Sequence, residues 1–238
     1  MLFGSISISE IDVYLGIDGA SKDGTVAVAQ RTLGNEDVLV SEPDRGIYDA
    51  LNKGIERASG EVIGFLHSDD LYAHDEVLAK VAACFSDPMV GAVYGDLQYV
   101  DSEDTERVIR HWVAGTFSQS KLKRGWMPPH PTFFMRRGLY QDLGGFDLGY
   151  RIAGDYDALL RYLASEKVKA TYLPEVLVKM RVGGASNGSL KQILRKSRED
   201  VAAMRNNGIN PLVALPYKNL SKLPQFLAKE KSKTKETG

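Results

Sequence analysis

Two rhythms of apolar residues alternate along this chain. Short, nearly unbroken apolar runs at residues 13–17, 38–40, 62–66, 90–94, 98–100 and 132–135 read as strands, and the 62–66 run is continuous enough to be covered on both faces. Between them the spacing turns helical. A helix starting near Asp44 carries Ile47, Ala50, Leu51, Gly54, Ile55 and Ala58 on one stripe and stops at Gly60. A second, from Asp75, buries Val77, Leu78, Val81 and Phe85 and ends at Asp87-Pro88. A third, over 155–166, buries Tyr156, Leu159, Leu160 and Leu163; a fourth, over 189–205, buries Leu190, Ile193, Leu194 and Val201. Strands alternating with helices predict an α/β domain on a mainly parallel sheet flanked by helices.

No internal repeat divides the chain. The pattern predicts a main domain over 1–188, a helical extension over 189–216 and a basic tail over 217–238. With 238 residues and 43% hydrophobic side chains, one soluble globular domain with a sizeable core is expected. The 30 basic and 31 acidic residues nearly cancel, so the overall field draws no polyanion, and nucleic acid is not an expected partner. Cys84 is the only cysteine, which excludes an intrachain disulfide and argues against a cysteine-based zinc site. No apolar run reaches the roughly 20 residues of a membrane span, and the N-terminus lacks a basic leader, so a cytoplasmic setting is expected. From residue 217 onward six lysines face two glutamates, behind an apolar stretch broken by Pro216 and Pro224. That combination fits peripheral contact with the inner face of the cytoplasmic membrane as well as a solvated tail.

The chemistry gathers at carboxylates that end strands. The run Val62-Ile63-Gly64-Phe65-Leu66 leads through His67-Ser68 into Asp69-Asp70. In an open α/β sheet ligands bind beyond the carboxyl ends of strands, and adjacent carboxylates repel unless a cation or hydrogen-bond donors compensate. Mg2+ and Mn2+ take oxygen ligands, often one or two carboxylates with the rest supplied by a substrate diphosphate. A turn cap is the other reading of the pair. Ile17-Asp18-Gly19 repeats the strand-to-carboxylate arrangement, as a nucleoside contact or an Asx-turn. Asp155, in Gly154-Asp155-Tyr156-Asp157, opens an amphipathic helix, as its N-cap or as a general base.

Taken together, IDGASKDGT (17–25), SEPDRGIYDALNKGIERASGEVIGFLHSDDLY (41–72), HPTFFMRRGLY (130–140), GGFD (144–147) and GDYDALLRYL (154–163) resemble family-2 glycosyltransferases of the GT-A fold. The second segment is most similar to bacterial enzymes of O-antigen, capsule or exopolysaccharide synthesis. The resemblance implies an inverting transfer of a sugar from a nucleotide-diphosphate donor, UDP-linked first among them, to a glycan or lipid-linked acceptor. It implies that Asp18 contacts the donor base, that Asp69 binds the donor, and that Asp70 holds a divalent metal, Mn2+ or Mg2+. His67 stands where a strict Asp-x-Asp motif begins. Asp155 matches the catalytic base ahead of Asp157. His130 falls near donor and acceptor, and Arg181 can neutralise phosphate.

The family also begins with a strand and helix ahead of the strand that ends in Asp18. Residues 2–9 do not resemble them, so about thirty residues of the nucleotide half-site are expected to be missing, an estimate from the size of one βα unit. An open sheet edge beside Asp18 is then expected. A late start, a true truncation and a partner that completes the fold all account for it. The alternative to an enzyme is a catalytically degenerate nucleotide-sugar-binding or partner protein.

Overall fold

The computed structural model describes residues 2–6, 11–182 and 190–220. Nine strands form one sheet: β1 (Leu2–Ile6), β2 (Ile11–Asp18), β3 (Val38–Ser41), β4 (Val62–Leu66), β5 (Asp70–Tyr72), β6 (Ala92–Asp101), β7 (Val108–Trp112), β8 (Phe134–Arg136) and β9 (Ala170–Val182). Among the described residues eight α-helices flank it: α1 (Thr25–Thr32), α2 (Ile47–Arg57), α3 (Val77–Phe85), α4 (Gln119–Lys123), α5 (Arg137–Leu143), α6 (Gly154–Ala164), α7 (Leu190–Asn206) and α8 (Pro211–Leu220).

The sheet runs β3-β2-β1-β4-β8-β6-β9-β5, with β7 paired to β6. It is mixed, as the GT-A resemblance implies, but most of its pairings are antiparallel, which corrects the expectation of a mainly parallel sheet. Only β2–β3 and β6–β9 pair in parallel among the described strands. The open edge expected beside Asp18 is also corrected. β1 lies between β2 and β4, antiparallel to both, with Leu2 opposite Gly16 and Leu66. Only residues 7–10 separate β1 from β2, too few for the crossover that a parallel neighbour requires.

Alternation along the central strands explains why their sequences are apolar throughout. Ile63 and Phe65 of β4, Tyr94 of β6 and Met135 of β8 face one core with α2, α5 and α6. Val62, Val93, Leu97 and Phe134 face the other with α3. Gly64 faces the second core, where the lack of a Cβ lets the Phe134 ring lie directly against the strand.

Several expected boundaries shift. The runs at 90–94 and 98–100 are one strand, β6, continued through Gly95-Asp96 by an irregular register with β9. Ile47, at the first turn of α2, is 46% exposed, while Tyr48 and Asp49 take the buried positions. Ile193 and Leu194 are exposed on α7, whose buried residues include Ala203 and Met204; the side chain of Leu190 lies outside the described residues. Helix α8 continues past Pro216, so Tyr217 and Lys218, expected in the tail, belong to a packed helix, and Lys218 is buried. The rest of the expected tail, 221–238, lies outside the described residues.

Candidate active site

Asp18 ends β2 in a turn that its own carboxylate organises. It accepts from the Ser21 amide at 2.9 Å, from the Ser21 hydroxyl, and from the Ser41 hydroxyl at 2.6 Å. These bonds, Ser21 first, hold its carboxyl below the usual range. The carboxylate thus organises its own turn, reaching the amide three residues on rather than the two of an Asx-turn. Asp18 also lines a cavity of about 610 Å³ with Val26, Val28, Ala29 and Leu39, whose rim includes Ser68 of the acidic turn. That apolar wall suits the flat face of a nucleobase, and the lone pairs left on the carboxylate remain available to it.

After β4 the chain turns tightly, the Asp70 amide donating to the His67 carbonyl at 3.0 Å, and Asp70 then pairs with Met180 of β9. The two carboxylates part here. Asp69 is exposed, while Asp70 is 5% exposed and its Oδ2 has no hydrogen-bond partner among the described residues. Burial pushes Asp70 up to about 7, and the charge of Asp69 adds to the rise. An orphaned buried carboxylate oxygen fits a divalent cation, which would settle on it together with Asp69 and diphosphate oxygens. The described residues offer no cluster of three His, Cys, Asp or Glu, so the protein would supply only part of the coordination shell. Arg181 reaches this corner through its backbone: its amide donates to the Asp69 carbonyl at 3.4 Å, and its side chain is exposed.

His130 occupies a tight turn of residues His130–Thr132 that leads into β8. Its ring lies 5.6 Å from Phe65, 5.5 Å from Phe146 and 5.8 Å from His67. Burial lowers both imidazoles to about 4, keeping them neutral at pH 7, and the neighbouring His130 adds to the lowering of His67. His67 Nδ1 and His130 Nε2 lack partners among the described residues. Neutral imidazole nitrogens of this kind suit sugar hydroxyls or phosphate oxygens.

Asp155 is the second residue of α6, and it is not the N-cap. The amides of Arg151, Ile152 and Ala153 instead donate to one oxygen of Glu199 on α7, at 3.1, 2.8 and 3.0 Å. Asp155 is left to border a cavity. The Tyr48 hydroxyl lies 3.2 Å from Asp155 Oδ1 and 2.7 Å from the Ile152 carbonyl. Gly154 permits this approach, since a Cβ there would sit 2.8 Å from the Tyr48 ring. Burial raises the Asp155 carboxyl, opposed first by the Tyr156 amide and then by Lys196, Lys218 and the Tyr48 hydrogen bond. A raised carboxylate at a helix mouth is suited to taking a proton. Asp157 is otherwise committed, accepting from Asn207 at 2.9 Å and facing Arg161 at 3.8 Å.

The elements converge electrostatically as well as in space. His67 feels both Asp155 and Asp69, and Tyr99 of β6 feels both Asp70 and Asp155. Asp155 lies in the wall of a cavity of about 370 Å³ formed by residues 112–127 and helices α6 to α8. Apart from Asp155, the cavity residues escaped sequence reasoning as site residues, as did Tyr48 and Glu199. Tyr48 alone had a signal, its place within SEPDRGIYDA.

Residues 9–147 match the family model of glycosyl transferase family 2. The chain belongs to that family. The match takes in Asp18, Asp69, Asp70 and His130 and ends before Asp155. A PGL/p-HBAD biosynthesis glycosyltransferase of Mycobacterium bovis (strain BCG / Pasteur 1173P2) is 30% identical over 176 residues, 72% of this chain and 66% of the relative. The family-2 chain thus spans just under two thirds of that relative. Hyaluronan synthase of Pasteurella multocida is 28% identical over 189 residues, 79% of this chain and 19% of the synthase. Among solved structures, S. aureus TarS 1-349 in complex with UDP-GlcNAc superposes with a TM-score of 0.61 at 15% identity, over 95% of this chain and 72% of TarS. The mannosyltransferase PcManGT from Pyrobaculum calidifontis, in complex with GDP-Man and Mn2+, gives 0.56 at 21% identity, over 90% and 64%. The shared architecture is the GT-A fold.

Proposed function

We propose that this family-2 chain is an inverting glycosyltransferase that moves a sugar from a nucleotide-diphosphate donor, a UDP-sugar first among candidates, to a glycan or lipid-linked acceptor of a bacterial cell-surface polysaccharide. The observation that carries this reading is Asp155, in contact with the Tyr48 hydroxyl and raised by burial, with Tyr99 feeling the charge of both Asp155 and the orphaned carboxylate of Asp70.

The acceptor hydroxyl gives its proton to Asp155 as its oxygen bonds to the anomeric carbon. The bond from that carbon to the donor diphosphate breaks on the opposite face, which inverts the configuration. Tyr48 orients the carboxylate. Asp18 and the apolar wall of its cavity take the nucleoside, and His67 and His130 face the sugar and phosphates as neutral groups. Asp70, with Asp69, would hold Mn2+ or Mg2+, which when bound supplies Lewis-acid neutralisation of the departing diphosphate. Arg181 is a weaker participant, because only its backbone engages the acidic turn. A cytoplasmic protein in peripheral contact with the membrane is the setting this implies; among the described residues no helix is long and apolar enough to cross a membrane.

The test is nucleoside diphosphate release from a panel of UDP-, GDP- and dTDP-sugars with Mn2+, using wild type and Asp155→Asn. Release that Asp155→Asn lowers by about a thousandfold supports the assignment. Near-normal release by that variant removes Asp155 from the role of base.

A further inference from the structure

The cavity beside Asp155 has a composition that a general acceptor site does not require. Three lysines border it, Lys121 from α4, Lys196 from α7 and Lys218 from α8. Lys196 and Lys218 share one carboxylate, each placing Nζ 3.0 Å from Asp200. With Asp155 and Asp200 as the carboxylates of this group, three ammonium groups stand against two, so the wall carries an excess of positive charge. Arg124 stacks over Tyr217 at the same end, 5.5 Å from the ring centroid, and adds to it.

Aromatic faces line the cavity between these charges. Trp112, Trp126 and Tyr217 border it, with Tyr99 toward the acidic turn. Trp126 is braced by its indole N–H donating to the Ala114 carbonyl at 3.2 Å, and Lys218 lies 3.2 Å over the Tyr156 ring. Sugar rings present apolar C–H faces that stack on such surfaces. At about 370 Å³ the space is of small-ligand size. The cavity contains the base but none of Asp18, Asp69, Asp70 and His130, so it lies on the acceptor side of Asp155 rather than the donor side.

We infer that this cavity selects an acceptor whose terminal sugar bears an anionic group, either a phosphate, as at the anomeric end of a lipid-linked sugar, or a ring carboxylate. The inference rests on the glycosyltransferase reading for the role of the cavity, and it adds the charge class of the acceptor. Lys196 and Lys121 meet the anion while the aromatic rings hold the sugar face. Residues beyond the family match thus set acceptor choice, since α7 and α8 supply two of the three cations.

Trp112 and Trp126 are the only tryptophans in the chain, so intrinsic fluorescence reports on this cavity. The experiment titrates glucose 1-phosphate, glucuronate and methyl glucoside into wild type, Lys196→Gln and Lys121→Gln, following tryptophan emission. UDP with Mn2+ is titrated into the same proteins by calorimetry. Saturable change with either anionic sugar, at least about tenfold tighter than with methyl glucoside and weakened about tenfold in either lysine variant, supports the inference. Which anionic sugar responds separates phosphate from carboxylate. Equal affinity for the neutral glycoside, or no response to either anion, overturns it. If UDP affinity instead falls in Lys196→Gln, the lysines serve the donor and the inference fails while the glycosyltransferase reading stands. Failure of that reading shows separately, as absence of UDP, GDP and dTDP binding to the wild type.

Discussion

The Tyr48 hydroxyl lies 3.2 Å from Asp155 Oδ1, joining the start of α2 to the start of α6 across 107 residues of sequence. The contact orients the carboxylate and stabilises its charged form, opposing the rise that burial imposes. Tyr48→Phe should therefore lower kcat about tenfold with little change in donor KM. The acidic limb of the kcat/KM profile should move to higher pH, because the anion has lost a hydrogen bond. A pH–rate series on both proteins checks this; an unmoved limb would make Tyr48 a packing residue only.

Gly154 admits that contact. Its missing Cβ leaves room for the Tyr48 ring, which a methyl group would meet at 2.8 Å. Gly154→Ala should displace Tyr48 and cost at least about tenfold in turnover while far-ultraviolet circular dichroism stays native, since alanine is the better helix residue. Full activity in this variant would show that the ring position is slack.

Glu199 holds the turn that leads into α6. Its carboxylate accepts from three successive amides, so Glu199→Ala should destabilise the fold by about 1–3 kcal/mol, a fall of roughly 3–10 °C in Tm. Asp155→Asn should leave Tm unchanged or raise it, because it removes a buried charge that no cap depends on. Thermal melts of the two variants side by side test the division of labour.

Burial raises Asp70 to about 7, so the folded chain without metal favours the protonated acid. Its stabilising contribution is complete below the ordinary carboxylate range and is lost as pH rises from about 4 toward about 7. Cation binding needs the ionised form. Mn2+ should accordingly raise Tm more at pH 8 than at pH 5.5, by about 3–6 °C at the higher value, and Asp70→Asn should abolish the difference. Equal metal shifts at both pH values would place the cation elsewhere.

How much of this was legible in the sequence depended on whether the signal was local. The strands of 62–66 and 38–40, the α3 stripe and the opening of α6 follow from apolar periodicity and were read within a few residues. Strand β9 was missed because Pro174 interrupts it; the register with β6 jumps from Tyr172 to Val176 there, so no ladder amide is needed at the proline. Gly95-Asp96 lies between the two expected strands, yet Asp96 is buried within β6, accepting from the Ala114 amide at 2.9 Å and the Tyr172 hydroxyl at 2.8 Å. The antiparallel directions could not be read from alternation, which suits either sense when the connections are long enough for a crossover. In the site, the acidic residues carried family signals, whereas Lys196, Lys218 and Glu199 act through tertiary contacts with no local pattern.

The central claim is that the acidic turn at Asp69-Asp70 holds a metal-bound nucleoside diphosphate while Asp155 works on the acceptor. Calorimetric titration of UDP, with and without Mn2+, into wild type, Asp70→Asn and Asp155→Asn tests it most directly, with GDP and dTDP as substitutes should UDP be the wrong nucleotide. The account predicts manganese-dependent binding in wild type and Asp155→Asn and its loss in Asp70→Asn. Binding that ignores manganese, or that survives Asp70→Asn unchanged, would contradict it.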